Sequence, residues 1–308
     1  NLCLAGGVAL NCVANGKVLR DGAFSNLWIQ PAAGDAGGAI GAALATYHRE
    51  LGAPRVVNRS DAMKGSFLGP AFDDAVITAD LQACGAVFET FDEATMIDLT
   101  ADALASEKAV GWFQGRMEFG PRALGGRSIL ADPRSPNMQR TLNLKIKYRE
   151  SFRPFAPSVL AEDAADYFKL NHPSPYMLLV ADLREGLRRT MSDEEVGLFG
   201  IEKLNVARST IPAVTHVDYS ARIQTVSSET SLKYHKLISK FKEKTGCPIL
   251  INTSFNVRGE PIVNTPEDAF NCFMGTELDT LVIGNCFLKK KEQNANLKKN
   301  YINKYESD

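Results

Sequence analysis

Apolar positions in the first fifty residues follow one plan twice: a short apolar run, a glycine turn, then a stretch with helical spacing. Residues 2–5 predict a strand, Gly6-Gly7 a turn and residues 8–19 a helix; residues 27–29, 31–34 and 36–50 repeat the sequence of strand, turn and helix. Two such units do not close a core alone, so residues 1–50 are expected to be the end of a domain whose earlier half lies outside this sequence. Little periodicity and the residues Gly52, Pro54, Asn58 and Ser60 predict a linker over 51–64. Helices and strands then interleave irregularly over 65–288, as in an α/β (α+β) domain. Helices are expected at 93–107, 137–144, 162–168, 231–244 and 266–274. Strands are expected at 109–113, 155–160, 177–182, 213–217, 223–226, 249–254 and 280–283. Residues 183–208 are charged and poorly patterned, which predicts an excursion from the core. A lysine-rich stretch over 289–308 predicts a basic tail that frays.

The length of 308 residues and 44% hydrophobic content allow one large domain or two ordinary ones. A net charge of −1 argues against a general polyanion binder. Charge is nevertheless concentrated: between Arg116 and Arg153 nine basic residues face three acidic ones, a local balance of +6. Six cysteines form no C-x-x-C pair and four histidines no H-x-x-x-H pair, so reduced thiols are expected and no structural zinc site. With no apolar run long enough for a membrane span and no signal layout, no membrane partner is expected and the location is expected to be cytoplasmic.

Candidate chemistry lies in six places. Residues 115–128 set Arg116, Arg122 and Arg127 among glycines and the Gly120-Pro121 turn, a combination suited to gripping phosphate or carboxylate oxygens two at a time. In residues 145–158, Pro154 and Pro157 discourage helix and place Arg153 where an extended segment begins. Lys147 is the other site candidate there, while Lys145 and Arg149 read as a solvated helix end. The apolar run 249–251 turns polar at Asn252, Thr253, Ser254 and Asn256; such strand ends gather ligands in open sheets, and equally they serve as hydrogen-bonded caps. Arg222, opening a strand, is weaker by itself. Asp35 starts a helix between glycines and is read as an N-cap or a metal ligand, and Gly6-Gly7 before a helix suits a phosphate.

Taken together, Gly6-Gly7-Val8-Ala9-Leu10-Asn11, Gly34-Asp35-Ala36-Gly37-Gly38, residues 115–125, Phe152-Arg153-Pro154-Phe155-Ala156-Pro157 and Asn252-Thr253-Ser254-Phe255-Asn256 resemble the C-terminal part of the O-carbamoyltransferases, which act on nodulation factors and on antibiotics such as tobramycin and cephamycins. The resemblance covers residues 1–288. It implies an open, twisted sheet domain like that of the threonylcarbamoyl-adenylate synthases, preceded by part of an actin/hexokinase-like ATPase domain. It also implies a reaction in two halves. Carbamoyl phosphate and ATP, the latter with Mg2+, give carbamoyl-adenylate and pyrophosphate; the carbamoyl group then passes to a small-molecule hydroxyl, with Fe2+ or another divalent metal in the complete transfer domain. By position, Arg122, Lys147, Arg153, Arg222 and Ser254 match the residues around carbamoyl phosphate and the adenylate, Lys147 and Arg153 being catalytic, with Asn252 beside them. Arg116, Arg127 and Asn256 are supporting candidates, Gly6, Gly7 and Asn11 nucleotide-binding ones, and Asp35 matches the metal-binding aspartate. The family's paired metal-binding histidines lie in its N-terminal half and have no counterpart here, so the chain is expected to support the first half-reaction only and to need the missing N-terminal half as a partner. Two other readings stand beside this one: an RNA-binding module of the same fold, which near-neutral charge and the lack of basic-aromatic interleaving disfavour, and a non-catalytic ligand-binding remnant.

Overall fold

The computed structural model describes residues 1–57, 61–204 and 206–301. Residues 58–60 of the expected linker, 205 of the expected excursion and 302–308 of the expected tail lie outside the described residues.

The first repeat folds as β1 (Leu2–Leu4), a 3-10 turn and α1 (Cys12–Asp21), the second as β2 (Leu27–Ile29) and α2 (Ala36–Ala45). β1 and β2 pair in parallel, Leu2 opposite Leu27. The first helix starts later than its apolar spacing predicts because the Asn11 side chain accepts from the Ala14 N–H at 3.0 Å and caps α1 there.

The remaining strands are β3 (Glu89–Thr90), β4 (Val110–Phe113), β5 (Arg127–Ala131), β6 (Ala156–Leu160), β7 (Leu179–Asp182), β8 (Ser220–Val226), β9 (Ile249–Ser254), β10 (Thr280–Ile283) and β11 (Cys286–Lys289). They form one mixed sheet in the order β3-β11-β10-β4-β5-β9-β6-β8-β7. Helices α3 (Asp74–Ala83), α4 (Glu93–Ala105), α5 (Met138–Lys145), α6 (Ala164–Tyr167), α7 (Asp193–Gly197), α8 (Gly200–Leu204), α9 (Leu232–Thr245) and α10 (Pro266–Gly275) complete the domain. β4, β5 and β6 are buried at every position, and β4 and β6 accordingly read as continuous apolar or small-residue runs rather than alternating ones, whereas β5 opens on Arg127.

Register decides what meets at one end of the sheet. β9 runs antiparallel to both neighbours, with Ser254 opposite Ser128 of β5 and Asn252 opposite Ala156 of β6. β8 runs parallel to β6, and β7 places Val180 opposite Arg222. The C-terminal end of β9 thus shares an edge with the starts of β6 and β8. α1 docks against β7: Arg20 donates to the Val180 carbonyl at 2.8 Å and Asn15 Nδ2 to the Leu178 carbonyl at 3.1 Å.

Several expectations need correction. Residues 213–217 do not form a strand; a 3-10 turn at Pro212–Val214 replaces it, closed by the Thr215 hydroxyl donating to the Ile211 carbonyl at 2.9 Å. The helix expected at 162–168 is a 3-10 turn followed by the single turn of α6. Within the expected linker, Asp61 is anchored, accepting from Gly65 N–H at 2.7 Å and from the Tyr176 hydroxyl at 2.5 Å. The expected fraying of the tail fails over 289–301: Lys290 donates to the Phe273 and Thr276 carbonyls, at the C-terminal end of α10, and Tyr301 is buried against Gly275.

Candidate functional site

Four elements and one loop converge at that sheet edge. β9 is apolar and buried through Ile251 and then presents Asn252, Thr253 and Ser254. The residues Arg153 and Pro154 lead into β6, and β8 contributes Arg222. Arg122 comes from the loop before β5, and α1 brings Cys12 and Val13. They line a cavity of about 370 Å³, which Arg149 and His216 also line. No carboxylate occurs among the described lining residues.

The guanidinium groups crowd one another. Burial, and secondly the charge of Arg122, pulls Arg222 down to about 10, while a hydrogen bond to the Cys12 side chain works in the opposite direction. Arg122 is lowered by burial, and its Nε has no hydrogen-bond partner among the described residues. Arg149 is drawn down to about 10 by burial and then by Arg153; Asn143 Oδ1 accepts from its Nε at 2.7 Å, and its guanidinium lies 5.1 Å from the Phe155 ring centre. Arg153 is half-exposed and pairs with Glu150 at 3.1 Å. Cations that depress each other in a cavity lined by no carboxylate are stabilised by an anion entering it.

Neutral groups line the cavity beside them. Asn252 is 1% exposed; its Nδ2 donates to the Ala123 carbonyl at 3.1 Å and to Gln224 Oε1 at 2.8 Å. Gln224 Nε2 in turn donates to the Leu124 carbonyl at 2.7 Å, so two backbone acceptors fix both amide orientations. Asn252 Oδ1 is left without a hydrogen-bond partner among the described residues. The Ser254 hydroxyl donates to Asn256 Oδ1 at 2.6 Å.

Of the sequence-derived candidates, Arg122, Arg153, Arg222, Asn252 and Ser254 therefore share one cavity. Lys147 does not line it. Its ammonium is buried behind Ser254, donating to the Ser254 carbonyl at 2.5 Å and to the Asn256 carbonyl and Oδ1, both at 2.8 Å. Burial pulls it down to about 7, and Arg149 adds to that. Asn256 belongs to the same turn, its Nδ2 donating to the Glu260 carbonyl at 2.6 Å. Arg127 is fully buried elsewhere, donating to the carbonyls of Gln114, Gly115, Gly126 and Pro70 with its guanidinium 3.5 Å from the Phe113 ring centre. Arg116 is exposed and donates to the Gly69 carbonyl at 3.0 Å. Gly6, Gly7 and Asn11 lie just before the part of α1 that reaches the cavity and do not line it. Asp35 is exposed and makes no capping bond. Among the described residues no group of three or more His, Cys, Asp or Glu side chains could hold a metal ion.

Sequence reasoning missed Arg149, His216 and Cys12. Tyr148 holds φ at 48°, turning the chain between buried Lys147 and cavity-lining Arg149; no spacing rule for a helix end shows this.

The chain is 62% identical over 295 residues to the uncharacterized Synechocystis sp. protein sll1178, covering 95% of this chain and 48% of that protein. It is 43% identical over 294 residues to the nodulation protein NolO of Bradyrhizobium diazoefficiens, covering 94% and 49%. It thus spans about half the length of these curated relatives. Full-length HypF in its phosphate- and nucleotide-bound form overlaps only partially, with 16% identity, a TM-score of 0.40, and 62% of this chain and 25% of that chain covered. Among the described residues no helix is long and apolar enough to cross a membrane. The carbamoyltransferase N-terminus profile matches residues 1–44 and the carbamoyltransferase C-terminus profile residues 101–290, and the chain belongs to the carbamoyltransferase family.

Proposed function

We propose that the arginine-lined cavity binds carbamoyl phosphate and ATP and converts them to carbamoyl-adenylate and pyrophosphate, the first half of carbamoyl transfer to a small-molecule hydroxyl such as that of a sugar or cyclitol. The observation that carries this reading is the convergence of Arg122, Arg149, Arg153 and Arg222 on one cavity with no carboxylate among its described lining residues. Family membership and relatives named as nodulation proteins support it.

The residues divide the work by their chemistry. Arg122 and Arg222 are held by burial and face phosphate oxygens; charge that builds on those oxygens is met by donors needing no reorganisation. Ser254 and Asn252 offer neutral hydrogen-bonding groups beside them. Lys147 acts on the ligand only through Ser254, whose carbonyl and turn it fixes. Carbamate, formed when carbamoyl phosphate loses phosphate, attacks the α-phosphorus of ATP, and formation in the same cavity as ATP shortens the life that species must survive in water. ATP enters with Mg2+. Transfer to the acceptor belongs to the N-terminal domain, to which we assign residues 1–50, while residues 65–288 form the adenylate.

Pyrophosphate release from ATP, with and without carbamoyl phosphate, tests the reading. Release is expected to require carbamoyl phosphate and to fall about 10- to 100-fold in Arg222→Ala, since a buried charge-assisted contact is worth about 1.5–3 kcal/mol. Arg153→Ala is expected to lose less, because that side chain is half-exposed and paired. Equal release by wild type and Arg222→Ala contradicts the assignment.

A further inference from the structure

His216 lines the same cavity, and a short hydrogen-bond chain fixes its tautomer. The Ser220 hydroxyl donates its one proton to Asp218 Oδ1 at 2.6 Å, an oxygen that also accepts from the Ser220 N–H at 3.0 Å. With that proton committed, Ser220 Oγ is left to accept, and His216 Nδ1 lies 3.1 Å from it. Nδ1 therefore carries the imidazole proton and Nε2 keeps its lone pair. No hydrogen bond reaches Nε2 among the described residues.

We propose that His216 is the general base that takes a proton from the water releasing phosphate from carbamoyl phosphate, an inference that rests on reading this cavity as the carbamoyl phosphate site. The water oxygen bonds to phosphorus, whose oxygens the arginines hold. The bond from phosphorus to the carbamoyl oxygen breaks, and its electron pair stays on that oxygen as carbamate. One water proton passes to Nε2 and leaves with the phosphate. Carbamate remains for the attack on ATP. The charged groups around the imidazole suit the role: burial holds it below its usual range, Asp218 offsets part of this, and Arg222 adds to it. The other lining cations, Arg122, Arg149 and Arg153, are all positive, so the neutral, proton-accepting form prevails at neutral pH.

Phosphate release from carbamoyl phosphate, followed against pH in wild type, His216→Gln and Asp218→Asn, tests this. Glutamine keeps a donor for Ser220 but has no basic nitrogen. His216→Gln is expected to slow release about 100-fold, to abolish the acid limb of the profile, and to leave the affinity for inorganic pyrophosphate unchanged. Asp218→Asn removes the carboxylate that favours the imidazolium and is expected to move the acid limb to lower pH. A wild-type rate in His216→Gln, or an acid limb that persists in it, overturns the base assignment and leaves the carbamoyl phosphate reading standing. Wild-type protein that releases no phosphate overturns both.

Discussion

Lys147 shows how far a single residue's role depends on its surroundings. Its position in a basic segment before Pro154 suggests direct contact with a ligand, whereas the ammonium sits behind Ser254 with carbonyl and amide oxygens of Ser254 and Asn256 around it. Lys147→Met leaves those acceptors without a donor and is expected to cost about 2–3 kcal/mol in urea unfolding. An unchanged midpoint would show that the turn does not need the lysine. The pH dependence has a definite sign. With the folded-state value pulled down to about 7 and an ordinary value in the unfolded chain, the unfolded state binds the extra proton between them. Wild type should therefore gain stability relative to Lys147→Met as pH rises from about 7 towards about 10.4, the usual lysine value; a flat difference would mean the folded protein keeps its ammonium charged. Which residues line the cavity was partly legible in the sequence. Arg122, Arg222, Asn252 and Ser254 stand at turns and strand ends, where ligands gather. Arg149 and His216 were not legible, because a left-handed Tyr148 and the turn that replaces the strand expected at 213–217 place them.

Among the elements, α1 has most to do with closing the site. Gly16 lies so close to β7 that an added Cβ would meet the Val180 carbonyl oxygen at 2.3 Å, a backbone atom that cannot move aside cheaply. Gly16→Ala is expected to lift α1 from β7, to speed amide exchange over residues 12–21, and to weaken anion binding as Cys12 and Val13 leave the wall. Exchange and affinity equal to wild type would show that the contact is not needed. The strands with unbroken apolar runs, such as 249–251 and 281–283, are readable because burial on both faces leaves no polar positions within those runs to confuse the pattern. β5 was hidden: it starts at Arg127, directly after a glycine-rich turn, and its arginine lies buried over Phe113 instead of marking a surface loop. The packed stretch after β11 differs from its reading for a similar reason, since Lys290 there satisfies the end of α10.

For the molecule as a whole, the +6 segment between Arg116 and Arg153 does not become a basic face. Arg127 is interior, Arg134 is paired with Asp132 at 2.6 Å, Arg116 binds the Gly69 carbonyl, and Arg122, Arg149 and Arg153 turn to one cavity. Positive charge divided in this way favours a small anion over a polyanion. A single-stranded RNA oligonucleotide is expected to show no binding at physiological salt that carbamoyl phosphate fails to displace; tight, salt-sensitive RNA binding would favour the RNA-module reading. The most direct measurement is a crystal structure of the chain with a hydrolysis-resistant carbamoyl-adenylate analogue. Density for the carbamoyl and phosphate groups is expected between Arg122, Arg222, Asn252 and Ser254. Density confined to another face, or an empty cavity at saturating analogue, would contradict the assignment.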